Sequence, residues 1–251
     1  MSRQDKSTTG AIPLPVQRDA WNHWNTDFRE SAIDVMAEKQ LATVTRWLRQ
    51  FHDEHGFHQL RILDAGCGTG WLCERLLRFG RVTGVDLADE VIARAQQRIP
   101  TATLIAGDFM EIDLPTGYFD VITCFELLAH VADQPALIER LAELLKPGGV
   151  LMISTQNRRV LERCSWVGQA LPGTLRRWLD LPQLKALLSP HFEIEAVTSV
   201  HPQGNQGWLR LVNSRWLARP LDRITLGAYT RLREQALLGW SLMIRCRRRA
   251  S

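Results

Sequence analysis

The chain has 251 residues, of which 45% are hydrophobic and 23% charged, with a net charge of +4. That length and composition allow one sizeable core in one large domain, or in one domain with an elaboration. No apolar run approaches the roughly 18 residues of a spanning helix, the polar start has no signal-peptide core, and the five cysteines match no metal spacing, which predicts free thiols in a cytoplasmic protein without a metal.

Residues 1–18, rich in Ser, Thr and Pro, read as a flexible arm, and 19–251 as a single domain. Over 19–57 apolar residues recur at three- and four-residue steps, from Trp21, Trp24 and Phe28 to Trp47, Leu48 and Phe51. This predicts a helical cap of two helices with a break near Glu30-Ser31. His52, His55 and His58, ahead of the first strand, read as a solvated linker rather than a metal site. The core, 58–200, then alternates: strand 61–65, helix 71–79, strand 82–86, helix 89–98, strand 102–106, strand 119–125, helix 134–145, strand 149–154, helix 181–188 and strand 192–200. Asp89 reads as an N-cap, and Pro100 closes the helix before it. Residues 201–238 form an insertion of partly helical character, read as a substrate lid, and 239–251 the last strand and a basic tail. The alternation predicts an α/β fold: a Rossmann-like, doubly wound, mostly parallel seven-stranded sheet with right-handed crossovers.

Charge is uneven along this order. Residues 210–251 hold ten arginines, no lysine, one Asp and one Glu, which leaves the rest of the chain net acidic. Such an end suits solvated edges, an anionic acceptor, a lipid headgroup or nucleic acid.

The densest signal is Asp64-Ala65-Gly66-Cys67-Gly68-Thr69-Gly70, a strand running into a glycine turn and a helix start. Glycines let the backbone turn sharply and approach a ligand, and a strand, glycine loop and helix N-terminus together form the nucleotide crevice of a doubly wound sheet. Asp86 ends the next strand 20 residues after Gly66, where a carboxylate can accept both ribose hydroxyls. The spacing is G-x-G-x-G, not the G-x-G-x-x-G of dinucleotide enzymes, which disfavours a dehydrogenase.

The glycine form preceded by Asp64 resembles class I S-adenosylmethionine-dependent methyltransferases. Ala106-Gly107-Asp108-Phe109, Tyr118 to Glu126 with its Phe-Asp-Val-Ile core, and Leu144-Leu145-Lys146-Pro147-Gly148-Gly149 through Ile153 are similar to that family's later motifs, in the family's order. Glu126-Leu127-Leu128-Ala129-His130 resembles the E-x-L-x-H segment of ubiquinone-biosynthesis-type small-molecule O-methyltransferases, and Ser154-Thr155-Gln156-Asn157-Arg158 their S-T-x-N-R strand end. The resemblance implies S-adenosyl-L-methionine as cofactor. Gly66, Gly68 and Gly70 would approach it closely with Cys67, while Asp64 would hold the loop or the methionine ammonium. Asp86 with Leu87 would meet the ribose, Asp108 the adenine amino group with Phe109 beside the ring, and Phe125 the methionine end. Trp24 or Phe28 would cover the sulfonium and Arg29 pair with the methionine carboxylate.

The reading is methyl transfer to a small organic acceptor, at a hydroxyl oxygen, by in-line displacement. His130 is the candidate general base and Glu126 a cofactor contact or orienter. His191 reads as a loop residue, and His201 as a rim residue within reach of substrate. The acceptor pocket would be built from the N-terminal helices, residues 157–180 and the insertion, whose Trp, Leu and Arg content suits an aromatic or lipid-like, anionic acceptor, with room for peripheral membrane contact. Nitrogen or carbon acceptors, RNA tracked by the arginine-rich end, and a catalytically silent binding module are the alternatives.

Overall fold

The computed structural model describes residues 12–28, 35–55 and 59–249. Its centre is a seven-stranded sheet built from β1 (Leu60–Ala65), β2 (Gly80–Asp86), β3 (Thr103–Ala106), β4 (Phe119–Phe125), β5 (Leu145–Gln156), β6 (Phe192–Pro202) and β7 (Gly239–Arg248). The order across the sheet is β3-β2-β1-β4-β5-β7-β6. Strands β1 to β5 are parallel, and β7 runs antiparallel between β5 and β6.

The central strands are buried on both faces and so read as nearly unbroken apolar runs. Alternate residues serve opposite layers. Ile62, Val82, Val121, Val150 and Met152 pack with Val44, Trp47 and Leu48 of α2 (Val35–His55), Leu72 and Leu76 of α3 (Trp71–Leu76), and Ile92 and Ala95 of α4 (Asp89–Arg98). Leu63, Ile122, Leu151 and Ile153 pack on the other face with Leu137, Ile138 and Leu141 of α5 (Gln134–Leu144) and Leu184 and Leu188 of α7 (Leu181–Leu188). A short α6 (Arg158–Leu161) follows β5.

Several boundaries differ from the periodicity. α1 (Leu14–Phe28) begins ahead of Asp19, so Leu14–Arg18 are helical instead of part of an arm. Pro15 sits in its first turn, where a missing N–H removes no helical bond. The expected break near Glu30-Ser31 lies outside the described residues. α3 stops at Leu76, short of Phe79, because the chain must return to the sheet at Gly80: a Cβ there would lie 2.0 Å from the Leu60 carbonyl oxygen. Ala88, not Asp89, is the N-cap of α4. Asp89 instead accepts from Asn22 Nδ2 at 2.8 Å, and Arg94 donates to Thr26 Oγ1 at 2.6 Å, which lashes α1 along α4.

The insertion folds as α8 (Leu209–Val212), α9 (Arg215–Ile224) and α10 (Ala228–Gln235). Ser199 Oγ donates to the Glu234 carbonyl at 2.8 Å, and Lys39 pairs with the Glu234 side chain at 2.5 Å. The basic end is not a free tail. Through Arg248 it is an interior strand, with Arg245 and Arg247 both paired to Glu195 at 2.9 and 2.5 Å.

Asn157 joins the end of β5 to the start of β7. Buried, it donates through Nδ2 to the carbonyls of Leu237 at 3.0 Å and Gly239 at 2.9 Å. Truncating it leaves two buried carbonyls without that donor, so Asn157→Ala is expected to lower unfolding free energy by about 2–4 kcal/mol in urea titration. A loss under about 0.5 kcal/mol would mean that the junction is held elsewhere.

Candidate active site

In an open doubly wound sheet, ligands bind outside the carboxyl ends of the strands, where strand order reverses. Here the reversal falls between β1 and β4, and a cavity of about 1060 Å³ opens beyond the ends of β1, β2, β4 and β5. Each strand delivers its last side chain or next turn to that space. β1 gives Gly66, Cys67 and Gly68; β2 gives Asp86 and Leu87; the turn after β3 gives Asp108 and Phe109; β4 gives Phe125 and Glu126; β5 gives Gln156.

The glycine loop hangs from β2. Gly66 N and Cys67 N donate to the Val85 carbonyl at 2.8 and 3.0 Å, and Gly68 N donates to Asp86 Oδ2 at 2.8 Å. The other oxygen, Asp86 Oδ1, accepts from Ala88 N at 2.9 Å. Burial pushes the Asp86 carboxyl upward, and these two N–H groups, with that of Leu87, oppose the shift. Gly68 adopts a left-handed φ of 51°, and a Cβ there would meet Asn25 Oδ1 of α1 at 3.2 Å. The N-terminal helix therefore closes directly over the loop.

Two predicted cofactor contacts do not reach the cavity. Asp64 is buried beneath the loop, accepting from Thr123 Oγ1 at 2.7 Å and Cys73 Sγ at 3.3 Å. Desolvation raises its carboxyl to about 6 against the lowering effect of those bonds. These partners lie on β4 and α3, and Asp64 does not line the cavity. Gly70 is turned toward α4: a Cβ there would contact Ile99 at 3.0 Å, so its constraint is helix packing instead of ligand approach. Arg29 lies outside the described residues.

The remaining predicted residues share the cavity: Trp24, Gly66, Cys67, Gly68, Asp86, Leu87, Asp108, Phe109, Phe125, Glu126 and His130. Asp108 Oδ1 accepts from Met110 N at 3.0 Å, which fixes its turn. Glu126 has a left-handed φ of 58° and binds four elements together. Its Oε1 accepts from Gln40 Nε2 at 3.0 Å, Ser154 Oγ at 2.9 Å and Ser241 Oγ.

His130 ends a single 3₁₀ turn, Leu128–His130. Its Nδ1 lies 2.6 Å from the Leu175 carbonyl, so Nδ1 carries the proton and Nε2 the lone pair. Nε2 faces the amide nitrogen of Gln156 at 3.4 Å, while Trp178 Nε1 donates to Gln156 Oε1 at 2.5 Å and sets that amide's orientation. Trp21 packs on the imidazole edge-on, 4.7 Å between centroids. Desolvation pushes His130 down to about 4; the Leu175 bond opposes this and the positive charge of Arg176 adds to it.

Sequence reasoning missed Gln40, Asn25, Gln156 and Arg176, and gave no role to Trp21, the ring on His130. Gln156 stood inside the quoted S-T-x-N-R segment, and Arg176 in a stretch noted only for its Arg, Trp and Leu content. The expected lid is also corrected. Trp166, Leu171, Thr174 and Arg176 of 157–180 line the cavity, but among the described residues the insertion contributes only His201 and Gln203, ahead of its helices. His191 stays outside the cavity, in the loop after α7. Among the described residues no group of three His, Cys, Asp or Glu is arranged to hold a metal, and no helix is long and apolar enough to cross a membrane.

The charges along the lining separate two regions. Asp86, Asp108, Glu126 and Asp133 are acidic, and Arg176 is the single Lys or Arg among the described lining residues. Among the described lining residues no cation faces the glycine loop to meet a pyrophosphate; Arg98, which donates to the Thr69 carbonyl, does not line the cavity. A cofactor carrying ammonium and sulfonium charge fits that acidic, carbonyl-lined end.

A family model described as a methyltransferase domain matches residues 33–191, more than half of the chain. The ubiquinone biosynthesis O-methyltransferase of Xanthomonas axonopodis pv. citri is 40% identical over 163 residues, 53% of this chain and 64% of that protein. The one of Xanthomonas oryzae pv. oryzae is 41% identical over 110 residues, 39% of this chain. The chain thus spans about half the length of the curated relatives it matches, 44% in the second case. An S-adenosylmethionine-dependent methyltransferase from Mesorhizobium loti superposes with a TM-score of 0.58 at 24% identity, covering 83% of this chain and all of that one. Magnesium protoporphyrin IX methyltransferase from Synechocystis PCC 6803, solved with bound SAM, superposes with a TM-score of 0.61 at 16% identity, covering 97% of this chain and all of that one.

The seven-stranded sheet with its crevice at the β1/β4 reversal is the fold of S-adenosylmethionine-dependent methyltransferases. The chain belongs to the methyltransferase domain family.

The half-buried imidazole gives a direct test of the site's electrostatics. Its folded value lies below the ordinary 6.5, so the native state disfavours the proton. That preference detracts from stability progressively as pH falls from 6.5 toward 4. Asp64, raised to about 6, acts in the opposite sense over much of this window, so the ring itself must be followed. NMR of the His130 imidazole is expected to find it neutral at pH 6 and half-protonated near pH 4. A midpoint at or above 6.5 would show the ring to be solvated.

Proposed function

We propose that this chain transfers a methyl group from S-adenosyl-L-methionine to a hydroxyl oxygen of a small organic acceptor in the cytoplasm. The acceptor is aromatic or lipid-like and carries an anionic group, and contact with a membrane is peripheral. The observation that carries this reading is the imidazole of His130, its Nδ1 tied to the Leu175 carbonyl, in the same cavity as the glycine loop and Asp86. The relatives named as O-methyltransferases support oxygen as the acceptor atom.

The cofactor supplies a methyl carbon on a sulfonium that needs little covalent help, so the protein's task is alignment and exclusion of water. Asp86 would bind the ribose beside Leu87, Asp108 would receive the adenine amino group with Phe109 along the ring, and Trp24 would cover the sulfonium. His130 Nε2 would take the hydroxyl proton as the acceptor oxygen gains the methyl carbon and the carbon–sulfur bond breaks, leaving a neutral thioether. A phenol near pKa 10 is a poor donor to an imidazole near 4, and general bases work best near the working pH. An anionic acceptor relieves part of that mismatch. Its charge pairs with Arg176, which is half-buried and bonded to the Gly168 carbonyl, and so removes one of the causes that hold His130 down. Arg176 is therefore the candidate for acceptor recognition.

RNA is the weaker reading. The arginines of the last strand are engaged within the fold, on Glu195 and on the carbonyls of Gly148, Glu143 and Leu145.

Incubation with methyl-labelled S-adenosylmethionine and fractionated extract tests the reading: label is expected in a small organic molecule, and label in RNA would overturn it. His130→Ala is expected to reduce turnover by roughly 10²-fold with cofactor affinity retained; a loss under about threefold would remove His130 as base. Arg176→Ala is expected to raise KM for a carboxylate-bearing catechol by roughly tenfold or more while leaving a neutral catechol nearly unchanged. An equal effect on both acceptors would exclude Arg176 as the anion site.

A further inference from the structure

The inserted helices leave the cavity lining and yet expose apolar side chains. Trp216 is 93% exposed, Leu226 85%, Ile224 79%, Leu211 71% and Leu232 62%. Large apolar residues at such exposure, gathered in one short segment, mark an interaction surface. On α9 they are ordered. Trp216, Pro220 and Ile224 follow at four-residue steps and form one outward stripe, with Arg219 and Arg223 on the neighbouring step. The opposite side of α9 is committed to the fold: Ala218 is buried, and Asp222 accepts from Thr230 Oγ1 at 2.6 Å and Arg233 at 3.1 Å.

Charge identifies what covers this stripe. Within 209–235 the side chains of Arg210, Arg219, Arg223 and Arg231 are exposed. The two acids of the segment are turned inward, Asp222 onto Arg233 and Glu234 onto Lys39. The outer surface is thus both apolar and positive. A second copy related by a two-fold axis would set these arginines against themselves. Phosphates of RNA would satisfy the arginines and a base would stack on Trp216, but the aliphatic Ile224, Leu226 and Leu211 would stay in water. An anionic bilayer satisfies both, since amphipathic helices of this kind seat an aromatic and aliphatic face at the headgroup boundary with Arg beside the lipid phosphates.

We propose that α8–α10 form a docking surface for an anionic membrane, with Trp216 and Ile224 entering the headgroup boundary and Arg219 and Arg223 pairing with lipid phosphates. None of these four residues lines the cavity, so the proposal does not depend on the reaction assigned to it.

The test is co-sedimentation of the full chain with vesicles of phosphatidylcholine alone, or of phosphatidylcholine with about one third phosphatidylglycerol. The expected result is binding to the anionic vesicles that weakens with added salt, with little binding to the neutral ones. Trp216→Ser with Ile224→Ser, and separately Arg219→Glu with Arg223→Glu, are each expected to reduce the partition coefficient by at least roughly tenfold. Thermal midpoint and cofactor affinity should stay unchanged in both. The two pairs act on different parts of the surface, so a folding defect in one leaves the other decisive. Absence of anionic-vesicle binding, or binding that neither pair alters, would overturn the proposal. So would a self-association that Trp216→Ser abolishes without any effect on vesicles, or salt-sensitive RNA retention with no vesicle binding.

Discussion

The Asp86 carboxylate organises the site. One oxygen accepts from Gly68 N in the loop after β1, and the other from Ala88 N at the start of α4. A carboxylate with two backbone donors spans two connections that are far apart in sequence and adjacent in the sheet. Without it, the glycine loop would keep its bonds to the Val85 carbonyl, its own turn and the Arg98 side chain on the Thr69 carbonyl. The partial positive charge of the two N–H groups also opposes the upward push that burial gives the carboxyl. The same group that shapes the loop also lines the cavity.

Below and beside this anchor, polar groups replace apolar packing wherever strands meet the site. Asp64, Thr123 and Cys73 form a small network under the loop, and Glu126 gathers donors from α2, β5 and β7. A left-handed backbone at a non-glycine residue costs on the order of 1–3 kcal/mol, and such positions survive where surrounding contacts over-determine them. Glu126 meets that condition through its three side-chain donors. The result is a rigid floor, against which α1 lies as a cover fixed to α4 by Asn22 and Thr26. Rigidity at the floor suits a reaction whose barrier depends on alignment.

The strands and their end residues were legible because sheet physics ties them to sequence. Apolar runs such as Val121-Ile122-Thr123-Cys124 require burial on both faces, and the first residues past each run, Gly66, Asp86, Asp108 and Glu126, fall at strand ends by topology. What was not legible depends on contacts across the chain. The side chain of Asp64 sits on the β1 strand like a site residue, but its partner Thr123 is 59 residues away and turns it inward. Gly70 shares the glycine spacing, yet α4 decides its environment. Gln156 meets His130 because Trp178 orients its amide, a relation that neither residue reveals alone. The insertion was read as a lid from its position before the last strand, whereas the pairing of Glu234 with Lys39 and of Ser199 with its backbone directs those helices to the side.

The central claim is that the space bounded by the glycine loop and Asp86 is a nucleoside-binding crevice for S-adenosylmethionine. Calorimetric titration of the purified chain with that cofactor tests it most directly, alongside Asp86→Ala. The account predicts saturable one-to-one binding that weakens by at least roughly tenfold in the variant, since a lost charge-assisted pair of hydrogen bonds costs more than about 1.4 kcal/mol. Binding unchanged by the loss of Asp86, in a variant that remains folded, would contradict it.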